Sequence, residues 1–320
     1  MTDALNRYLA AAERPNTQRS YASAIRHFEV EAGCFLPATV DSVAQYLARY
    51  APELSLNTLR QRLAALARWH ADHGFVDPTR APIVKQALKG IAALHPATVK
   101  QAVPLQLKQL TKIVAHLDDA IARATDDRSM LLRAVRDRAL VLLGFWRGFR
   151  RDELVRLEVQ HMRMVDGKGM SIFLPRSKGD RDNIGRSFKV PALSRLCPVA
   201  AVSAWIAEAG LTDGPLFRRI DRWGEISAKE MHVNSVVPLL RRVFTDAQVP
   251  QAEQYSGHSL RRGFAGWAND NGWDVKALME YVGWKDIHSA IRYIDSPDPF
   301  ERMRIDKSLQ PAAPELPAPR

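Results

Sequence analysis

The stretch YSGHSLRRGFAGWANDNGWDVKALMEYVGWKDIHSAIRY, Tyr255–Tyr293, decides the reading of the chain. It carries His258 and Arg261 three positions apart, so one helical turn presents both on one face. Asn271-Gly272 ends that helix, Val275–Val282 reads as a short second one, and Gly283-Trp284 is the turn after it. A segment opening at Asp286 or His288 then carries Tyr293, nine positions beyond Trp284. Singly, each has a plain structural explanation: histidines pair with carbonyls, tryptophans pack, tyrosines cap cores. Upstream, GFRRDEL (Gly148–Leu154) sets Arg150 at a helix junction with Glu153 three residues on. On an exposed helix face such an ion pair is common and worth little.

Composition bounds what these residues can serve. A chain of 320 residues favours two domains, and 46% hydrophobic residues suffice for packed cores. The formal net charge of +11 points to a polyanionic partner, with a merely solvated basic surface as the plain alternative. The excess is spread along the chain: 12 Lys and Arg against 8 Asp and Glu through Pro104, and 34 against 27 beyond it. Both parts are therefore expected to face one extended anion. Cys34 and Cys197 are the only cysteines, so neither a zinc site nor a disulfide framework is indicated. No apolar run reaches the roughly 20 residues of a membrane span, and the N-terminus lacks a signal peptide's apolar core. The expectation is a cytoplasmic, nucleoid-associated protein with no membrane contact.

The first hundred residues read as four or five helices without strands. Asn16 is expected to cap a helix over Thr17–Ala32, with Tyr21, Ile25 and Phe28 inward, and Asp41 a second, with Val43, Leu47 and Tyr50. Ser55 or Asn57 opens a third, with Leu59, Leu63 and Leu66 inward and Gly74 as its stop. A fourth over Arg80–Leu94 carries Ile83, Ala87, Ile91 and Leu94. Their polar faces hold Arg19, Thr58, Arg60, Arg62 and Arg68, candidates for DNA contact, although a charged face is usually just solvated. HPATVKQAVPL (His95–Leu105) is short, polar and proline-flanked, as an interdomain linker is.

Helical patterns return at Leu107–Leu117 and at Leu131–Trp146, whose apolar run should be core. His161–Val165 and Met170–Leu174 flank the hairpin turn DGKG, and Phe188–Val190 supplies a third strand. The polar loop between the last two contains Lys178. Helices follow over Val199–Ala209 and Val233–Phe244.

Together these residue types suit attack on a phosphodiester, where catalysis is mostly positioning and charge stabilisation. Arginine's planar fork grips two oxygens and never loses its charge, so Arg150 and Arg261 are matched to the non-bridging oxygens. His258 can donate a hydrogen bond or shuttle a proton, whereas the Trp284 indole N–H only donates. Lys178 can protonate a leaving 5′ oxygen. Tyr293 is the candidate nucleophile, since cationic neighbours favour the phenolate. The absence of a carboxylate cluster fits a route without metal or cofactor.

The ordered set resembles the tyrosine recombinases, or phage integrases, over nearly the whole chain. GFRRDEL looks like the family's first arginine box, giving Arg150 as catalytic arginine and Glu153 as its supporting acid. RSKGD looks like the hairpin lysine, Lys178, with Lys168 and Lys189 as rivals. HSLRR looks like the second box (His258 and Arg261), and GWKDIHSAIRY the last (Trp284 and Tyr293). Most members carry histidine where Trp284 stands; the Cre-like members carry tryptophan, which removes a titratable group.

The resemblance implies a mainly α fold with a small β-sheet. A SAM-like helical core-binding domain would span residues 1–98 and a linker 99–105. An α+β DNA breaking-rejoining catalytic domain would span 106–309, and a Pro-rich tail, 310–320, would be disordered. It implies a site-specific DNA recombinase or integrase working through a 3′-phosphotyrosyl intermediate. Its partners would be double-stranded DNA with inverted repeats, a homo-tetramer in the synaptic complex, and accessory proteins. Residues Asp298–Leu309 would dock on a neighbouring subunit or pack on their own domain. The competing readings are a topoisomerase IB-like relaxing enzyme and a DNA-binding protein with a decayed site.

Overall fold

The computed structural model describes residues 7–8, 15–96, 101–175, 184–291 and 293. The chain divides into two compact units, Met1–Lys100 and Gln101–Arg320. Among the described residues it is mainly helical, with two small antiparallel sheets.

The first unit contains α1 (Pro15–Arg26), α2 (Val40–Tyr50), α3 (Leu56–Asp72) and α4 (Pro82–Leu94). Its core is Phe28, Val43, Tyr46, Leu47, Tyr50, Leu59, Leu63, Leu66, Val84 and Ile91. Several local expectations are corrected. Helix α1 already includes Asn16, whose side chain accepts from Arg19 rather than capping the helix (2.7 Å). It continues as a π-helical turn over His27–Glu31, the rare wider winding that inserts an extra residue. Thr39, not Asp41, caps α2, its hydroxyl accepting from the Ser42 N–H. Ser55 does cap α3, accepting from Thr58 N–H. In α4 the buried stripe runs through Val84 and Ile91, leaving Ile83 53% and Leu94 81% exposed. Pro82 occupies the first turn, so the helix starts two residues later than expected and its inward face is rotated.

The second unit is built around α6 (Arg128–Arg147), whose residues Ala139–Leu143 are all fully buried. Around it lie α5 (Leu107–Arg123), the short α7 (Arg151–Val155), α8 (Pro198–Glu208), α9 (Val236–Asp246) and α10 (Gly257–Asp270). The strands β1 (Met162–Val165), β2 (Gly169–Leu174) and β3 (Arg186–Pro191) form an antiparallel sheet in that order, with Ile172 opposite both Met162 and Phe188. A second, two-stranded sheet of β4 (Arg218–Ile220) and β5 (Ile226–Glu230) was not anticipated. Those strands are short and half charged, so they carry little alternation to read.

After α10, Asn271-Gly272 reverses the chain into α11 (Val275–Val282), and α12 (Ile287–Ile291) leads to Tyr293. An aromatic-rich cluster of Phe264, Ala265, Ala268, Leu278, Val282, Trp284 and Ala290 packs these three helices together, with Trp146, Tyr281 and Tyr293 at its margin. The last box is thereby fixed to the end of the central helix. Residues 176–183 and 294–320, which include Lys178, Asp298–Leu309 and the Pro-rich tail, lie outside the described residues.

Candidate active site

Helix α6 ends at Gly148, whose φ of 59° is the left-handed conformation that suits glycine. That turn presents the Gly148 carbonyl to α10, where it accepts from Arg261 Nη1 (2.7 Å). Two residues on, Arg150 is the N-cap of α7 and Glu153 folds back onto it. One carboxylate oxygen accepts from the Arg150 backbone N–H (2.8 Å) and the other from Arg150 Nη1 (2.7 Å). Glu153 Oε2 also lies 3.8 Å from Arg261 Nη1. The Glu153 side chain is only 5% exposed, so this is no solvated surface pair. One buried carboxylate aligns two guanidiniums.

Arg261 is 1% exposed, and its Nε and Nη2 have no hydrogen-bond partner. Burial draws its pKa down to about 10, the Arg150 charge adding to the effect and Glu153 opposing it. It therefore remains cationic at neutral pH. The Trp284 indole Nε1 is likewise buried without a partner. Burying donors unsatisfied costs about 1–3 kcal/mol each. A cluster of them marks a place shaped for an acceptor that arrives from outside.

The aromatic groups close the arrangement. The Arg261 guanidinium carbon lies 5.0 Å from the Trp284 ring centroid and 5.6 Å from that of Tyr293. The Trp284 and Tyr293 rings are 5.2 Å apart at 29°, and the exposed His258 ring lies 6.3 Å from Tyr293, nearly parallel at 14°. His258 and Arg261 extend from one turn of α10, as their spacing requires. The structure thus gathers Arg150, Glu153, His258, Arg261, Trp284 and Tyr293 around one point.

Neither rival lysine joins them. Lys189 on β3 points away from its neighbour Phe188, whose ring lies against Phe149, Arg147 and Arg186, and Lys168 sits in the β1–β2 turn at the other end of the sheet from Arg186. Sequence reasoning passed over four groups here: Arg147, Arg186, Phe188 and Tyr281. The guanidinium of Arg147 lies 3.9 Å from the Tyr281 ring centroid and 4.8 Å from that of Phe188. A charged residue closing the strongly apolar run ALVLLGFW was the available signal. Among the described residues, no group of three or more His, Cys, Asp or Glu could hold a metal ion, and no helix is long and apolar enough to cross a membrane.

In the N-terminal unit the five candidate contact residues differ in their commitments. Arg19 and Arg60 are exposed and hydrogen-bond Asn16 and Asn57 locally. Thr58 shares a hydroxyl–hydroxyl bond with Ser55 (2.8 Å). Arg68 pairs with Asp72, whereas Arg62 turns inward to donate to the Tyr46 hydroxyl (2.7 Å). Helices α1 and α3 adjoin, since Gln61 donates to both the carbonyl and the hydroxyl of Ser20.

Residues 104–298, more than half of the chain, match the phage integrase family. An integrase/recombinase xerD homolog from Selenomonas ruminantium is 26% identical over 310 residues, covering 94% of this chain and 87% of that protein. Recombinase cre of Escherichia phage P1 is 23% identical over 282 residues, covering 82% and 78%. Among solved structures, the XerH site-specific recombinase in a post-cleavage complex with its palindromic difH substrate shares the fold at a TM-score of 0.62, with 18% identity over 91% of this chain and 78% of that one. A lambda integrase dimer bound to a COC′ core site gives 0.59, with 16% identity over 93% and 97%.

Proposed function

Since the chain belongs to the phage integrase family, we propose that it is a site-specific DNA recombinase that breaks and rejoins strands through Tyr293. The Tyr293 phenol oxygen attacks the scissile phosphorus, a 3′-phosphotyrosyl bond forms, and the bond to the 5′ oxygen breaks. The 5′ oxygen leaves as a hydroxyl, taking its proton from Lys178, and the reverse reaction reseals a strand without an external energy source. Arg150 and Arg261 hold the two non-bridging oxygens, with Glu153 aligning both forks. His258 hydrogen-bonds the phosphate and shuttles the phenol proton. Trp284 donates one hydrogen bond, as in Cre-like members, and moves no proton.

The observation that carries this reading is the set of buried, unpartnered donors, Arg261 Nε and Nη2 and Trp284 Nε1, beside the Tyr293 ring. The partner is double-stranded DNA, and the productive assembly is a homo-tetramer on two sites carrying inverted repeats, with or without accessory proteins. The exposed faces of α1 and α3, with Arg19, Thr58, Arg60 and Arg68, supply phosphate contacts whose strength falls steeply with salt. Arg62 supports that surface from behind through Tyr46.

The test incubates the protein with sheared host DNA, traps covalent adducts with detergent and sequences their ends. Adducts at one recurrent sequence, absent with Tyr293→Phe, are expected. Adducts that persist in the variant sink the assignment, and Tyr293-dependent adducts at scattered sequences indicate a relaxing enzyme instead.

A further inference from the structure

Arg147 has no role in the chemistry described so far, yet it is among the most costly residues in the fold. Its side chain closes α6, is 4% exposed, and leaves Nε and Nη1 without a hydrogen-bond partner. Among the described residues no carboxylate is paired with it; Glu153, the acid whose charge acts on it, already serves Arg150 and Arg261. Its contacts are the Tyr281 and Phe188 ring faces and the Tyr281 hydroxyl, which together offset a buried charge only in part. Burial draws its pKa down to about 10, so it stays charged at neutral pH. Arg186 also lies over Phe188 (5.4 Å) and donates to the Glu280 carbonyl on α11 (2.7 Å), against Gly283, whose φ of 85° and lack of Cβ admit it. Among the described residues, Arg150 and Arg186 thus flank two buried guanidiniums, Arg147 and Arg261, which have one buried carboxylate, Glu153, between them, so positive charge is in excess.

A structural residue at the Arg147 position would be better apolar, because replacing a buried charge by a hydrophobic group is often neutral or stabilising. An excess of buried positive charge has a use if a phosphate gaining negative charge is brought to it. Resting on the strand-transferase reading, we propose that Arg147 is a positioning residue for that reaction. It lies behind Arg150 and Arg261, adds a fixed charge to the phosphate site, and straps β3 to α11 so that the Gly283-Trp284 turn holds the indole donor in place. It touches no substrate atom.

The test uses the full-length protein and the recurrent site recovered from the adduct experiment, resynthesised as a nicked duplex. The scissile group is either the normal phosphate or a methylphosphonate, which lacks one non-bridging charge. Arg147→Met, which keeps the apolar stem, is expected to cleave the normal duplex roughly ten- to a hundredfold more slowly, below the loss for removing a direct donor. On the methylphosphonate the gap from wild type is expected to shrink to about threefold or less, because the charge being stabilised is gone. Unchanged cleavage of the normal duplex, or equal loss on both duplexes, overturns the proposal. Should Arg147→Met fail to bind the site in a gel shift, Arg147→Lys decides. A buried lysine has a depressed pKa, so this variant should lose rate at alkaline pH where wild type does not; coincident profiles overturn the proposal. Adduct formation by wild type and its loss in Tyr293→Phe test the parent reading separately.

Discussion

Two buried polar networks in this protein have opposite character. In the N-terminal unit, Arg62 donates to the Tyr46 hydroxyl (2.7 Å), which donates to His27 Nδ1 (3.0 Å), while His27 Nε2 lies 3.4 Å from Glu31. Every group has a partner, and among the described residues no buried side-chain polar atom of that unit is left without one. In the second unit, the cluster around Glu153 leaves Arg261 Nε and Nη2, Arg147 Nε and Nη1 and Trp284 Nε1 unpartnered. Both networks set an arginine beside aromatic rings, half-buried Arg62 in one and buried Arg147 and Arg261 in the other, so ring contact alone does not separate them. Satisfaction does: a complete network holds its own helices together, and an incomplete one is complementary to something that comes and goes.

The contrast predicts that the two networks fail differently. The largest effect should come from Arg261→Met. Cleavage of the recovered DNA site is expected to fall at least 10²–10³-fold, while stability in denaturant changes by less than about 1 kcal/mol or rises, because the buried charge removed shares its one carboxylate with Arg150, which still pairs Glu153. Large losses of both rate and stability would break the distinction. Next comes Trp284→Phe, which keeps the ring and removes one donor. A loss of roughly tenfold or more in single-turnover cleavage, with unfolding midpoint held, is expected for a donor used in the transition state. Tyr46→Phe is the mirror experiment. Removing the hydroxyl strands Arg62 and the His27 acceptor, so stability should drop by about 1–3 kcal/mol. Cleavage per bound complex should be unchanged.

The same distinction explains what was legible in the sequence. Arg150, His258, Arg261, Trp284 and Tyr293, which the structure brings together, could be grouped beforehand because their types and order resemble the family's boxes. Helix positions followed from apolar spacing, which is why α3, α6 and α11 fall close to where they were placed. What escaped depends on tertiary geometry. Nothing in HFEVE announces a π turn, and Asp41 is as good a cap by type as Thr39, which lies two residues earlier. The shift from Ile83 to Val84 follows a helix start that only the Pro82 turn sets. Arg147 escaped because last-turn arginines usually reach solvent at a helix C-terminus, whereas this one is enclosed by rings from β3 and α11, more than 40 and 130 residues away.

The smallest effect, and the finest test of the satisfied network, is its response to acid. Burial is the main cause lowering the His27 pKa from 6.5, Arg62 lowers it further, and Glu31 and Glu53 oppose. The Tyr46 hydroxyl needs Nδ1 as an acceptor, so the folded network holds the neutral ring. With the folded value below the unfolded one, the unfolded chain binds the proton first as pH falls. The network's stabilisation is therefore present above about 6.5 and is lost on acidification through the folded pKa. Hydrogen exchange of the α1 and α2 amides in the intact chain should quicken between pH 7 and pH 5.5, after correction for intrinsic exchange. His27→Gln, which keeps an acceptor for Tyr46 and cannot titrate, should flatten that slope. The unpartnered cluster offers the control: Arg147 and Arg261, at about 10, hold their charge throughout this range. Amides of α10 and α11 should show no matching change, and an equal change there would mean that acid loosens the chain generally and that His27 is not its sensor.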